Sequence, residues 1–399
     1  MLESYPYIII GAGLSGASAV EGIREHDPQG SILLLGAEKD LPYDRPPLSK
    51  QLWTGGKTVA EITLHDDAFY SKNGVDIRLG VEVSQIDPAA RTVRDGTGNV
   101  YRCKSLLLAT GSTPRRLNIP GGYLDGISYY RTLHDYRQLR EVAVEGKSAL
   151  IIGGGFIGSE IAASLRANKL AVTMLFPSQW LVSRVLPESL GRYLTEQYRA
   201  KGVEVLTGDV PASIGRKGSA YVARTRVGRE IGADVVVVGI GVTPNVALAH
   251  AAGLTTTDGV FVNRFLQTSN SDVYAAGDIA FFPENTLGPR RIEHWDNALN
   301  QGKHAGRNMA GAREPFTYMP FFFSDLFEFG YEAVGDVDSR YEIFADWQEE
   351  NKTGVIYYLN DGRLRGAMMC NLFGKLDAAR ELIQRTDRFT PADLRGAIH

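Results

Sequence analysis

Two glycine turns are the residues of this chain best placed to do chemistry. One is Gly11-Ala12-Gly13-Leu14-Ser15-Gly16 and the other is Gly153-Gly154-Gly155-Phe156-Ile157-Gly158. In a G-x-G-x-x-G turn the first glycine makes the tight turn and the second lets the backbone approach a pyrophosphate. The third lets helix and strand pack closely. The helix N-terminus then meets the negative charge. Glycine-rich turns also occur in plain strand-to-helix loops, so the triplet needs its context. Both copies have it. Apolar runs at 7–10 and 31–35 read as strands around a small-residue helix that runs through Arg24. The second copy repeats this with strands at 148–152 and 171–176 around a helix at 159–167. The period is that of a whole domain rather than a solenoid.

The copies differ where a dinucleotide's ribose would be read. The first has Glu38 just past its second strand. A carboxylate there accepts hydrogen bonds from the hydroxyls of an unphosphorylated adenosine ribose, which suits FAD. The plain alternative is a solvated loop acid. The second copy has Phe176-Pro177-Ser178-Gln179-Trp180 at that place, and Arg184 follows. Nothing in it repels a 2′-phosphate and Arg184 could attract one, so NADH and NADPH stay unseparated. Asp278, in Ala275-Ala276-Gly277-Asp278, follows a strand and opens a turn. It suits either a flavin's ribityl chain or an ordinary turn or helix cap.

These sites need elements to hold them, and the chain has the length. Its 399 residues exceed one ordinary core and suggest two or three domains. With 44% apolar and 22% charged residues it reads as a globular protein. A net charge of −3 gives no case for nucleic acid. Cys103 and Cys370 are the only cysteines, so there is no disulfide framework and no C-x-x-C pair. No metal-ligand cluster is evident either. The N-terminus reads directly into a strand without a signal peptide, and no apolar run reaches a membrane span. A cytoplasmic location is the default expectation. Further strands end in glycine turns at 105–111 and 234–241, and a helix is expected at 297–309. From Pro315 the texture becomes aromatic, with strands at 354–359 and 366–369, and reads as a third, mixed domain.

The motif order carries a resemblance. Gly11 to Gly16, Ala109-Thr110-Gly111, Gly153 to Gly158, Gly239-Ile-Gly241-Val-Thr-Pro-Asn245 and Gly277-Asp278 resemble the flavoprotein reductases with two dinucleotide folds. Leu41-Pro-Tyr-Asp-Arg-Pro-Pro-Leu-Ser-Lys50 and Glu293-His-Trp-Asp-Asn-Ala298 resemble the ferredoxin reductases of oxygenase systems and the apoptosis-inducing factors. Phe323-Ser-Asp-Leu326 and Gly330 to Gly335 lean toward the latter.

The resemblance implies an α/β fold: two Rossmann-like domains, one inserted in the other, plus a C-terminal α+β domain. The FAD domain would be split over 1–115 and 242–316, the NAD(P)H domain would be 116–241, and the interface domain 317–399. It implies that Arg45, Lys50, Val83, Ala109, Arg131 and Asp278 touch FAD. Gly154 to Ile157, Arg184, Gly241, Glu293, His294 and Glu332 would line the nicotinamide path. Lys50 and Glu160 are the implied pair beside the isoalloxazine. A lysine at the flavin N5 edge would stabilise negative charge on reduction, and the glutamate would hold it. Taken alone, Lys50 is a surface lysine and Glu160 a first-turn helix acid. His294 stacks on a ring or fills a loop, and Phe323 contacts the ring or belongs to the core. Ala37 stands where the apoptosis-inducing factors have a second acid, Ser178 replaces their glutamate and Phe323 their tryptophan. Their long C-terminal insertion, mitochondrial leader and basic surface are missing, so no role in cell death is implied.

The expected activity is hydride transfer from NAD(P)H to FAD, then electron delivery to a ferredoxin-type iron–sulfur protein or a quinone. Disulfide reduction is disfavoured without the cysteine pair. Single-cysteine oxidase chemistry is disfavoured too, because Tyr43 and Asp44 stand where that cysteine would be. The alternative is a redox-sensing flavoprotein. In it, a slow-turnover charge-transfer complex would control homodimerisation or partner binding.

Overall fold

The structure is a computed structural model that describes residues 3–398. The chain forms two compact units, one from residues 3–44, 59–113 and 243–320, the other from 45–58, 114–242 and 321–398.

The first unit is built on a parallel sheet in the order Val75–Leu79, Ile32–Gly36, Glu3–Ile10, Val100–Leu108. Val273–Ala275 pairs with Val100–Leu108 in parallel, and Thr92–Asp95 and Val83–Asp87 extend the sheet antiparallel. The inner strands are apolar throughout because both faces are covered. Ile8, Ile9, Ile32, Leu33, Leu34 and Leu107 have no exposed surface. Helices Leu14–His26 and Trp295–Met309 pack backbone to backbone through small residues. A Cβ on Gly22 would lie 1.9 Å from the Lys303 carbonyl oxygen, and one on Gly306 would lie 2.2 Å from that of Ala19.

The second unit repeats the plan. Its parallel sheet runs Val203–Thr207, Ala171–Phe176, Ser148–Ile152, Val235–Val238, Ile127–Tyr129. An antiparallel meander, Pro211–Lys217, Ala220–Thr225 and Glu230–Ala233, packs its apolar side on this sheet around Ile214, Tyr221 and Ala223. Residues beyond 320 form a five-stranded antiparallel sheet in the order Phe321–Leu326, Phe329–Gly335, Arg363–Cys370, Thr353–Asn360, Glu342–Glu349, with helix Leu376–Gln384. The class is α/β with two Rossmann-like folds and a C-terminal α+β portion. Among the described residues no helix is long and apolar enough to cross a membrane.

One segment departs from sequence order. Residues 45–58, which lie between parts of the first dinucleotide fold, pack with the second unit. Helix Phe156–Ala167 and the residue after it hold them. Ser164 Oγ donates to the Ser49 carbonyl (2.6 Å) and Asn168 Nδ2 to that of Trp53 (3.0 Å).

Candidate functional site

The first glycine turn closes against the neighbouring strand end. Gly11 has φ +115°, and a Cβ there would sit 2.1 Å from the Ala109 carbonyl oxygen. A Cβ on Gly16 would meet the Gly11 carbonyl oxygen at 2.0 Å. A Cβ on Gly13 would meet no protein atom within 4 Å, so the backbone stands clear at the place a phosphate must approach. Gly13 N-caps helix Leu14–His26 without a side-chain bond, and no acid lies in the first turn. The first amides of that helix thus remain donors for an anion.

A second helix start joins this cradle. Ser15 Oγ donates to the Ala298 carbonyl at 2.9 Å, in the first turn of helix Trp295–Met309. A Cβ on Gly277 would fall 2.4 Å from Ser15 Oγ, which brings the turn bearing buried Asp278 alongside. Gln301 Oε1 accepts from the Gly277 amide (2.9 Å), while buried Gln301 Nε2 and Asn297 Oδ1 make no hydrogen bond within the protein. Orphaned polar atoms beside a carboxylate match a polyhydroxyl chain. Glu38 Oε2 accepts from the Tyr43 hydroxyl at 2.5 Å. Tyr43 is the residue sequence reasoning passed over, having weighed that position only for a cysteine. These features fit FAD.

His294 N-caps helix Trp295–Met309. Burial pushes its imidazole down to about 4, against the pull of Asp278. It is neutral at physiological pH and brings no charge to this place. Exposed Glu293 pairs with Arg291 at 2.5 Å. Val83 starts an antiparallel strand and is partly buried against the first core.

In the second turn Gly153 has φ +122°, and its Cβ would lie 2.2 Å from the Gly239 carbonyl oxygen. Gly155, like Gly13, would carry a Cβ with no neighbour within 4 Å, and it caps helix Phe156–Ala167 without a side-chain bond. Ile157 is 41% exposed at this helix start, unusual for its type. Gly241, at φ +101°, accepts from the Arg115 amide. Ser178 Oγ donates to the Trp180 carbonyl (2.9 Å), which braces the acid-free loop. Arg184 presents an exposed side chain, while its carbonyl accepts from the Ser339 amide. This cradle fits a second dinucleotide.

The second unit also holds Arg45, Lys50, Arg131, Glu160, Phe323 and Glu332. Arg45 Nη1 donates to the Arg131 carbonyl (2.9 Å), and Glu332 accepts from the Gly374 amide. Lys50 and Glu160 come together, with Lys50 Nζ 3.7 Å from Glu160 Oε1. Glu160 lies one turn into the helix, as expected, and the plain alternative of a first-turn acid does not hold. The helix starts at Phe156, so Glu160 lies past its first turn, and it is buried. Burial drives its carboxyl above the usual range, opposed by Lys50 and by hydrogen bonds from Ser324 and Ser49. Both serines escaped sequence reasoning, because no local spacing records so distant a contact. Lys50 is likewise buried rather than a surface lysine, and the Phe323 ring centroid lies 4.4 Å from its ammonium.

Both cysteines are free and buried, and burial pushes their thiols up, Cys103 to about 11. Neither is a thiolate nucleophile at neutral pH.

Two glycine cradles, each at a helix start on the end of a parallel sheet, define a protein that holds two dinucleotides. The chain belongs to the pyridine nucleotide-disulphide oxidoreductase family, whose model matches residues 5–302; the C-terminal model of mitochondrion-associated apoptosis-inducing factor matches 305–353. It is 35% identical to the anthranilate 1,2-dioxygenase system ferredoxin–NAD(+) reductase component of Burkholderia cepacia, over 96% of this chain and 95% of the relative. It is 34% identical to apoptosis-inducing factor 1 of Dictyostelium discoideum, over 100% of this chain and 81% of the relative. Among solved structures it matches a chain of the covalent putidaredoxin reductase–putidaredoxin complex with a TM-score of 0.90 at 28% identity, covering 98% of this chain and 95% of that one. The protein is an NAD(P)H-dependent flavin oxidoreductase with FAD as its cofactor.

Proposed function

We propose that this chain delivers electrons from NAD(P)H, by way of FAD, to a small ferredoxin-type iron–sulfur protein. The observation that carries this reading is the end-to-end match to a ferredoxin–NAD(+) reductase component. The missing cysteine pair supports it, because electrons then leave without a protein disulfide.

Gly11, Gly13, Leu14, Ser15, Gly16, Glu38, Arg45, Lys50, Val83, Ala109, Arg131 and Asp278 would hold FAD. Gly154, Gly155, Phe156, Ile157, Arg184, Gly241, Glu293, His294, Phe323 and Glu332 would receive the nicotinamide coenzyme. Bound FAD supplies the junction between two-electron and one-electron chemistry. The chain's own part is positional and electrostatic. The two helix starts bind pyrophosphate, Glu38 orients the ribose, and the Lys50 ammonium offers positive charge where reduction adds negative charge. Glu160, 3.7 Å away, helps to hold that ammonium.

Stopped-flow reduction with NADH and NADPH side by side, followed by cytochrome c reduction through an added ferredoxin, tests the reading. Fast flavin reduction with ferredoxin-dependent turnover is expected. Fast reduction with no acceleration by any ferredoxin, but with quinone turnover, would reassign the acceptor.

A second reading has support from the apoptosis-inducing factor match at 305–353. In it the flavin is a sensor, turnover is slow, and reduction changes the chain's self-association to a homodimer. Persistent long-wavelength absorbance in air with a change in elution volume on NADH addition would favour it. A cytoplasmic setting belongs to the first reading, and cell fractionation checks it.

A further inference from the structure

We propose that Asp325 is a positioning residue that shares the Lys50 ammonium with Glu160 and thereby limits the positive charge Lys50 presents to the flavin. The proposal rests on the reading above that Lys50 faces FAD.

Three neighbours hold the buried ammonium. Glu160 Oε1 is at 3.7 Å, Asp325 Oδ2 at 3.2 Å, and the Phe323 centroid at 4.4 Å. The nearer carboxylate is therefore not the buried one. The reason is local. Both oxygens of Glu160 are engaged by hydroxyls, Oε2 by Ser49 Oγ at 2.5 Å and Oε1 by Ser324 Oγ at 2.6 Å. At 3.7 Å the ammonium is past ordinary hydrogen-bond reach of Glu160, whereas Asp325 is at its limit.

Strand Phe321–Leu326 makes this division. Successive side chains of a strand point to opposite faces. Ser324 takes one direction and bonds Glu160, while Phe323 and Asp325 take the other and hold Lys50. Three consecutive residues thus supply three partners to one ion pair.

The two pulls differ in kind. Glu160 is farther but almost wholly out of water, so its attraction is weakly screened. Asp325 is nearer but half exposed, so solvent and salt weaken it. Lys50 is balanced between them, and a change at Asp325 must shift that balance. Asp325 also adds negative charge beside Glu160 and so favours its protonated form. The other ionisable groups facing Glu160 are Tyr198 and Tyr331, whose hydroxyls burial holds neutral. The consequence is functional. With Asp325 in place, the site stabilises the reduced cofactor less, so the cofactor keeps its reducing power for a low-potential acceptor.

The test is the midpoint potential of bound FAD, from spectroelectrochemical titration of the holoprotein at several pH values. Asp325 is exposed and Asp325→Asn is isosteric, and flavin content verifies the fold. Asp325→Asn should raise the potential by a tenfold change in the reduction equilibrium, about 30 mV for a two-electron couple. It should also move any pH inflection due to Glu160 downward. Lys50→Ala should lower the potential, and Asp325→Glu should stay near wild type. In the Lys50→Ala background, Asp325→Asn should have little further effect, because it acts through the lysine. An equal shift in both backgrounds, or none in either, overturns the proposal. If Lys50→Ala shifts the potential and Asp325→Asn does not, only the role of Asp325 fails. If Lys50→Ala has no effect, the flavin-facing reading of Lys50 fails as well.

Discussion

The two glycine turns reach one backbone shape with different side chains. Each has a left-handed first glycine pressed on a facing carbonyl, a third position clear of neighbours, and a last glycine stacked on the first. At the second position they trade places with the strand end opposite. In the first turn Ala12 carries the methyl and the strand ends in Gly36, where an added Cβ would meet the Ala12 Cβ at 2.5 Å. In the second, the strand ends in Phe176 and the turn is bare Gly154, where a Cβ would meet the Phe176 ring at 2.6 Å. The space is filled once in each copy, from opposite sides. The contact is thus fixed by packing, and the positions expected to read the ligand fall two residues further on, at Glu38 in one copy and Ser178 in the other.

Experiments can separate the copies, starting with the largest expected effect. Gly13→Glu should leave the protein folded but colourless, because the new carboxylate occupies the phosphate approach. Gly155→Glu should keep the flavin yet raise KM for the coenzyme at least tenfold, roughly 1.4 kcal/mol. Flavin-to-protein ratio and steady-state kinetics distinguish them, and equal flavin loss in both would break the assignment of the copies. Gly154→Ala should next cost about 1–3 kcal/mol in denaturant melts through overpacking. The double variant Gly154→Ala/Phe176→Leu should recover much of that, and a purely additive double variant would refute the exchange. Glu38→Gln should weaken FAD binding by about 1.5–3 kcal/mol, the range for a hydrogen bond to a charged group, read by flavin reconstitution. Ser178→Glu should lower kcat/KM for NADPH relative to NADH by about tenfold, since a carboxylate then faces the 2′-phosphate.

The smallest effect is one of pH. Native His294 is held near 4, whereas an unfolded histidine titrates near 6.5. The unfolded state therefore binds the extra proton as pH falls from 6.5 toward 4, and stability drains over that window. His294→Asn should flatten that fall in Tm by a few degrees. An unchanged slope would remove His294 from the account.

Much of this was legible in the sequence. Strands 148–152 and 171–176 match to the residue because buried apolar runs end at glycine or proline turns. The helix after the second turn begins three residues before the position its composition suggests. Phe156 and Ile157 look like turn residues between glycines, yet they open the helix. The sharing of Lys50 was not legible. Glu160 draws on Ser49 and Ser324, at sequence separations of 111 and 164, and no periodicity encodes such pairs. Tyr43 could have been found, since a buried tyrosine five residues past an acid within a polar loop needs a partner for its hydroxyl.

The grip of helix Phe156–Ala167 on residues 49–53 has a consequence for biosynthesis. Ser49 waits 115 residues for Ser164. The first sheet, nearly all of it made by residue 108, waits longer still for strand Val273–Ala275 and helix Trp295–Met309. Neither unit can close as the chain emerges N-terminal end first. At about 5–20 residues per second the nascent sheet stays uncovered for roughly 10–40 s, with apolar strands open to mispairing. Ribosome-associated chaperones would thus have a long window on this chain, and its yield should depend on translation speed more than that of a protein whose domains close in order.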